Sequence, residues 1–158
     1  MKKNLQPTIP EHAHEAQDSG ALADYLGQQL RLTHMAAVAS LEAELLPHQA
    51  SPVRFALLVY VSEWPGCTQI KLAEILGVDR STLVPMFNSM EKDDLLTRHP
   101  SPLDKRANGI WITPKGEALI KKLKPLVAAH NRKLSAGLSE AQLKTLTTLL
   151  KKVRQNIS

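Results

Sequence analysis

Apolar residues recur at helical spacing along most of the chain. From Ala21 to Leu46, Leu22, Leu26, Leu30, Ala37, Leu41 and Leu45 share one face and Pro47 stops the run, which predicts a long amphipathic helix. Ser51-Pro52 reads as an N-cap followed by proline in the first helical position. It opens a second helix carrying Val53, Ala56, Leu57, Tyr60, Val61 and Trp64, ended by Pro65-Gly66. Thr68 caps a short third helix with Ile70, Ala73 and Leu76 on its apolar face, and Gly77 makes its C-terminal turn. Asp79 is the expected cap of a fourth helix, from Arg80 to Lys92.

The period then shortens. Leu95-Leu96-Thr97-Arg98-His99 and Gly109-Ile110-Trp111-Ile112 read as two strands, with Pro100 to Asn108 as a polar tip between them. Thr113-Pro114 starts another helix, which Gly137 ends. Ser139-Glu140-Ala141-Gln142 is a capping box, and the last helix carries a stripe of Leu143, Leu146, Leu149, Leu150, Val153 and Ile157. Residues 1–19 mix Pro, His, Gln and acidic residues without a period and read as a flexible arm.

Composition changes this picture little. The chain has 158 residues, 43% hydrophobic but only 4% aromatic, so its core is aliphatic. No apolar run approaches the ~20 residues of a membrane span, and the first twenty residues lack the apolar stretch of a secretory signal. The single cysteine, Cys67, excludes an intramolecular disulfide and fits a reducing cytoplasm, the expected location. The net charge of +5 is uneven: residues 117–158 hold 9 Lys/Arg against 2 Asp/Glu, whereas residues 1–67 hold 4 against 7. A basic C-terminal third suits a polyanionic partner and equally suits a solvated helix face.

Function is concentrated between residues 68 and 113. A short helix, a glycine turn, a second helix and a hairpin, in that order, make a helix-turn-helix with a wing, a layout that docks on DNA. Leu83 and Phe87 face the core, leaving Arg80, Ser81, Thr82, Asn88 and Ser89 outward. Hydroxyl and amide side chains beside one arginine suit base edges and phosphates. At the hairpin tip, Lys105 and Arg106 can reach phosphates or a minor groove, with Asp104 holding Arg106 by a charge-assisted hydrogen bond. The same residues on a winged helix used for protein contact would be merely solvated. Pro85, inside the fourth helix, removes a hydrogen bond to the Ser81 carbonyl and predicts a bend or a loosened turn there.

Residues 68–120 resemble the DNA-binding core of the MarR family of bacterial transcription regulators. The resemblance rests on LAEILGVDRST, on Met90-Glu91-Lys92 with Leu95-Leu96, on Asp104-Lys105-Arg106 as the DxR wing, and on Ile112-Thr113-Pro114-Lys115-Gly116. Asp93-Asp94 departs from it, standing where the family has a basic residue and glycine. The resemblance implies a mainly α fold with a small β-hairpin wing: a winged helix-turn-helix core (52–113) and a dimerisation region of N- and C-terminal helices (20–46 and 114–157). It implies a homodimer reading palindromic double-stranded DNA, with Arg80, Ser81 and Thr82 in the major groove and Arg106 at the wing. The expected role is a repressor released by a small anionic or aromatic ligand, such as an aromatic acid or its thioester.

Arg31, His34 and Arg54 are candidates for holding that anion, with Tyr60 and Trp64 as aromatic walls; helical spacing alone also accounts for the two aromatics as core. Cys67 precedes the third helix, away from the N-terminal segment where the peroxide-sensing branch keeps its thiol, and reads as structural. His12 and His14 lack partners at metal-ligand spacing, and no cofactor loop or nucleophile–base–carboxylate set appears, so neither a metal, a cofactor nor an enzyme is expected.

Overall fold

The computed structural model describes residues 21–100 and 108–157. Its elements run α1 (Leu26–Leu45), a 3-10 turn (Leu46–His48), α2 (Pro52–Glu63), β1 (Cys67–Thr68), α3 (Gln69–Leu76), α4 (Arg80–Lys92), β2 (Leu96–Pro100), β3 (Asn108–Ile112), α5 (Pro114–Leu134) and α6 (Glu140–Gln155). The chain divides into two compact units, Met1–Ala39 and Ser40–Ser158.

In the first unit, turns at 21–24 precede α1, where Gln29 donates to the Ala23 carbonyl at 2.7 Å. Leu22, Tyr25, Leu26, Met35 and Val38 are all exposed, an apolar surface left uncovered among the described residues.

The second unit is built around the winged helix. Helix starts follow the expected caps. Ser51 accepts from Arg54 N, Thr68 from Lys71 N, Thr113 from Gly116 N, and Ser139 with Gln142 forms the reciprocal capping box. Asp79 is the exception: its extended backbone starts α4, but its carboxylate makes no capping hydrogen bond. The first N–H groups of α4 are left to solvent or to a ligand.

The main core gathers Leu57, Leu58 and Val61 of α2, Leu72 and Ala73 of α3, Leu83, Phe87 and Met90 of α4, and Leu95, Leu96 and Ile110 of the sheet. Leu83, Phe87 and Met90 are spaced by four and three residues, one face of α4 turned inward. The expected apolar face of α3 needs correction. Ile70 is 53% exposed and Leu72 takes its place inside, since eight residues are too few for a helical period to fix the buried side. Gly77 ends α3 in the left-handed region at φ +64°, with its N–H on the Ala73 and Glu74 carbonyls.

The wing is a three-stranded sheet in the order β1-β3-β2, not a bare hairpin. Cys67 pairs with Ile110 and Thr68 with Gly109, and Gly66 N donates to the Ile110 carbonyl at 2.8 Å. Two residues leave no alternation to read in the sequence. A methyl on Gly109 would sit 2.5 Å from the Gly66 carbonyl oxygen, so glycine permits this pairing.

A second, smaller core joins Leu45 and Ala50 to Leu123 of α5. His130, 4% exposed on α5, has no hydrogen-bond partner for Nε2 among the described residues. The stripe on α6 is present, but none of its residues is buried.

Candidate nucleic-acid interface

α4 presents two chemically different faces. Turned away from the buried Leu83, Phe87 and Met90 lie Ser81, Thr82, Asn88 and Ser89, and Arg80, at the first position of the helix, is exposed beside them. The short turn Gly77–Asp79 sets the start of α4 on the surface, with Arg80 in its first turn. A helix N-terminus with open N–H groups and an adjacent guanidinium is suited to a phosphate, and Ser81 and Thr82 are suited to base edges or further phosphates.

Arg98 on β2 joins this face, and sequence reasoning had not singled it out. Its guanidinium donates to Asn88 Oδ1 at 2.8 Å and forms an ion pair with Glu91. Thr68, Gln69, Arg80, Asn88, Arg98 and Asn108 line a groove of about 550 Å³ between α3, α4 and the wing. Asn88 therefore stands with its carbonyl oxygen already engaged and its amide N–H groups available as donors. The available signal was alternation: two residues beyond the buried Leu96, Arg98 falls on the same side of the strand.

Lys105, Arg106 and Asp104 fall outside the described residues. In the described part of the hairpin, Thr97 pairs with Trp111 and His99 with Gly109, and the His99 ring meets Trp111 edge-on at 5.4 Å.

α4 runs without a break from Arg80 to Lys92, with Pro85 exposed inside it. Proline has no N–H to give the Ser81 carbonyl. Replacing Pro85 with alanine should raise stability by about 1–3 kcal/mol in urea denaturation. No gain would mean that the turn is already relaxed around the ring.

The candidate ligand residues do not form one group in the second unit. Arg54 donates to Asp93 Oδ2 at 2.7 Å and borders a cavity of about 360 Å³. Tyr60 and Trp64 stack on each other, 5.3 Å between centroids and 11° between planes. Neither borders the larger cavity of about 580 Å³ between α2 and α5, lined by Phe55, Val59, Ile120 and Val127 together with the charged Lys124 and Glu63. Arg31 and His34 belong to the first unit, both exposed, and Arg31 donates to Gln28 at 3.1 Å.

Cys67 is buried, and burial pushes its thiol up from the usual range, with Lys71 only partly opposing. The thiolate is the nucleophile, so alkylation of the folded protein by iodoacetamide at pH 7 should be much slower than in urea and should accelerate only at a pH above the ordinary thiol range. Equal rates at pH 7 would show an activated thiol. Among the described residues, no group of three His, Cys, Asp or Glu is arranged to hold a metal, and no helix is long and apolar enough to cross a membrane.

Comparison with known proteins bears on the whole arrangement. The MarR family model matches residues 50–107. A Thauera aromatica protein named as a transcriptional regulatory protein for the hcr operon is 31% identical over 135 residues, covering 85% of this chain and 81% of that protein. The transcriptional repressor CouR bound to a 23-mer DNA duplex is similar at a TM-score of 0.78 and 26% identity, over 93% of this chain and 99% of CouR. CouR bound to p-coumaroyl-CoA gives 0.77 and 27%, over 85% and 95%. A variant of MarR from E. coli complexed with operator DNA gives 0.75 and 25%, over 85% and 99%. By the family model's match, the 31% identity shared with a relative over most of both chains and the shared fold, the chain belongs to the MarR family of transcriptional regulators, which bind DNA and are not enzymes.

Proposed function

We propose that this chain acts as a homodimeric repressor that reads a palindromic operator with α4 and the wing and is released by a small aromatic acid or its thioester. The observation that carries the reading is the two-faced α4, whose exposed Arg80, Ser81, Thr82, Asn88 and Ser89 back onto a fully packed core. Lys105 and Arg106, supported by Asp104, complete the DNA surface in this reading.

The exposed leucines of α6 support the dimer. Leu143, Leu146, Leu149 and Leu150 form an apolar stripe that a second copy would cover. The mainly apolar cavity between α2 and α5 is large enough for an aromatic ring, and its lining includes Lys124 for a carboxylate together with the acidic Glu63. A relative bound to p-coumaroyl-CoA supports that ligand class. Arg31, His34, Arg54, Tyr60 and Trp64 remain candidates for further ligand contacts.

Fluorescence anisotropy with DNA from the gene's own promoter tests the reading. Affinity should fall by roughly 10³-fold or more between 50 and 200 mM salt, as expected for six or more phosphate contacts. Cinnamate, benzoate or a corresponding thioester should weaken binding at constant salt. Absence of salt-dependent DNA binding would favour the alternative, a winged-helix module that contacts protein.

A further inference from the structure

The junction between α4 and β2 is tied to two other helices through Asp93 and Asp94. Arg54 of α2 donates to the Asp93 carboxylate at 2.7 Å, and Lys115 Nζ donates to the Asp93 carbonyl oxygen, also at 2.7 Å. Thr113 Oγ1 donates to the Asp94 carbonyl at 2.7 Å, and Asp94 itself turns through φ +58°. Asp93 is the residue that ends α4. Displacing its carboxylate would remove the side-chain tie from α2 to the C-terminal end of that helix, leaving its backbone bonds to Ser89 and Lys115.

The cavity of about 360 Å³ opens onto this pair. Its lining includes Arg54, Lys115 and Lys122, with His48 beside them, and Asp93 as its single carboxylate. Three permanent cations against one carboxylate leave a surplus of two positive charges before His48 is counted. Lys115 and Lys122 lie seven residues apart, two turns along one face of α5, so both ammonium groups can converge on one occupant. Lys122 makes no hydrogen bond or ion pair among the described residues, whereas the Lys133 and Lys71 ammonium groups are paired. A guanidinium with donors to spare and two ammonium groups match a tetrahedral dianion better than a lone carboxylate.

We infer that this cavity binds a phosphate monoester and that the bound phosphate competes with Asp93 for Arg54. The occupied state releases the end of α4 from α2, so ligand and operator oppose each other through one ion pair. This cavity is distinct from the apolar one between α2 and α5, although Arg54 is also a candidate contact of the proposed effector, and its link to DNA rests on the proposed function.

Isothermal titration of the full chain with phenyl phosphate, against benzoate at equal ionic strength, tests binding without DNA. Phenyl phosphate should bind saturably and benzoate at least roughly fivefold more weakly. Lys122→Gln should weaken phenyl phosphate by roughly fivefold or more with an unchanged melting curve. Asp93→Asn should move two affinities in opposite directions, binding phenyl phosphate more tightly and operator more weakly. A merely structural ion pair would not give that split. No saturable binding, equal affinity for benzoate, or an unaffected Lys122→Gln would overturn the site; an Asp93→Asn chain equal to the parent in both affinities would overturn the competition. If the parent chain fails to bind operator, the DNA reading fails while the titration still decides the site.

Discussion

Replacing Gly116 with alanine is expected to lower stability by about 2–3 kcal/mol, although alanine is the better helix former. Gly116 lies in the first turn of α5, where Thr113 Oγ1 accepts from its N–H at 3.0 Å. The Leu95 carbonyl accepts from Thr113 N at 3.1 Å, holding the start of α5 against the start of the wing. A β-carbon on Gly116 would lie 2.3 Å from that same carbonyl oxygen and 2.7 Å from Ile112 Cγ1. Backbone hydrogen-bonded from both sides cannot step aside as a flexible side chain would, so the clash outweighs the roughly 1 kcal/mol gained in helix propensity. Gly27 provides the comparison, because a β-carbon there meets nothing within 4 Å. Gly27→Ala should be neutral or stabilising by up to about 1 kcal/mol. Urea denaturation of both variants decides the matter: a Gly116→Ala protein as stable as the parent would show that α5 does not approach Leu95 this closely.

The second large effect is expected on DNA. Arg80→Ala should reduce operator affinity roughly 10- to 100-fold, the range for one good arginine contact worth about 1–3 kcal/mol. Arg80 is exposed and outside both cores, so the melting temperature should hardly change. The salt dependence then tells what Arg80 touches. Loss of a phosphate contact lowers the slope of log affinity against log salt by about 0.9 per phosphate. Loss of a base contact leaves the slope and relaxes discrimination among operator variants. An Arg80→Ala chain with parental affinity would remove the start of α4 from the DNA surface. In a homodimer each substitution acts at both half-sites, which places the expected loss toward the upper end of the range.

Much of the architecture was legible because its signals are local. Ser51-Pro52, Thr68, Thr113-Pro114 and Ser139 with Gln142 carry their own hydrogen-bonding partners within three residues, and each sits at an observed helix start. Where the partner is not local, reading failed. Asp79 has the chemistry of a cap and the backbone of one, yet its carboxylate caps nothing, because side-chain rotamer is not set by residue type. The two residues of β1 have no pattern of their own and become a strand only because β3 lies beside them.

The candidate site divides the same way. Helical period placed Ser81, Thr82, Asn88 and Ser89 away from Leu83 and Phe87, whereas Arg80 owes its exposure to its place at the helix start; the structure keeps all five exposed. That Arg98 holds Asn88 across ten residues, and that Arg54 holds Asp93 across thirty-nine, depends on which elements pack together. Arg54 read as a free cation for a ligand; its nearest anion proves to be at the end of α4. The sequence by itself determined the helices, their caps, the outward face of α4 and the family motifs, because each is encoded in spacing within a few turns of chain. Only the tertiary structure decided the third strand, the Arg98–Asn88 and Arg54–Asp93 pairs and the cavities between α2 and α5, because these arise where residues far apart in sequence are brought within hydrogen-bond reach by burial of a shared core.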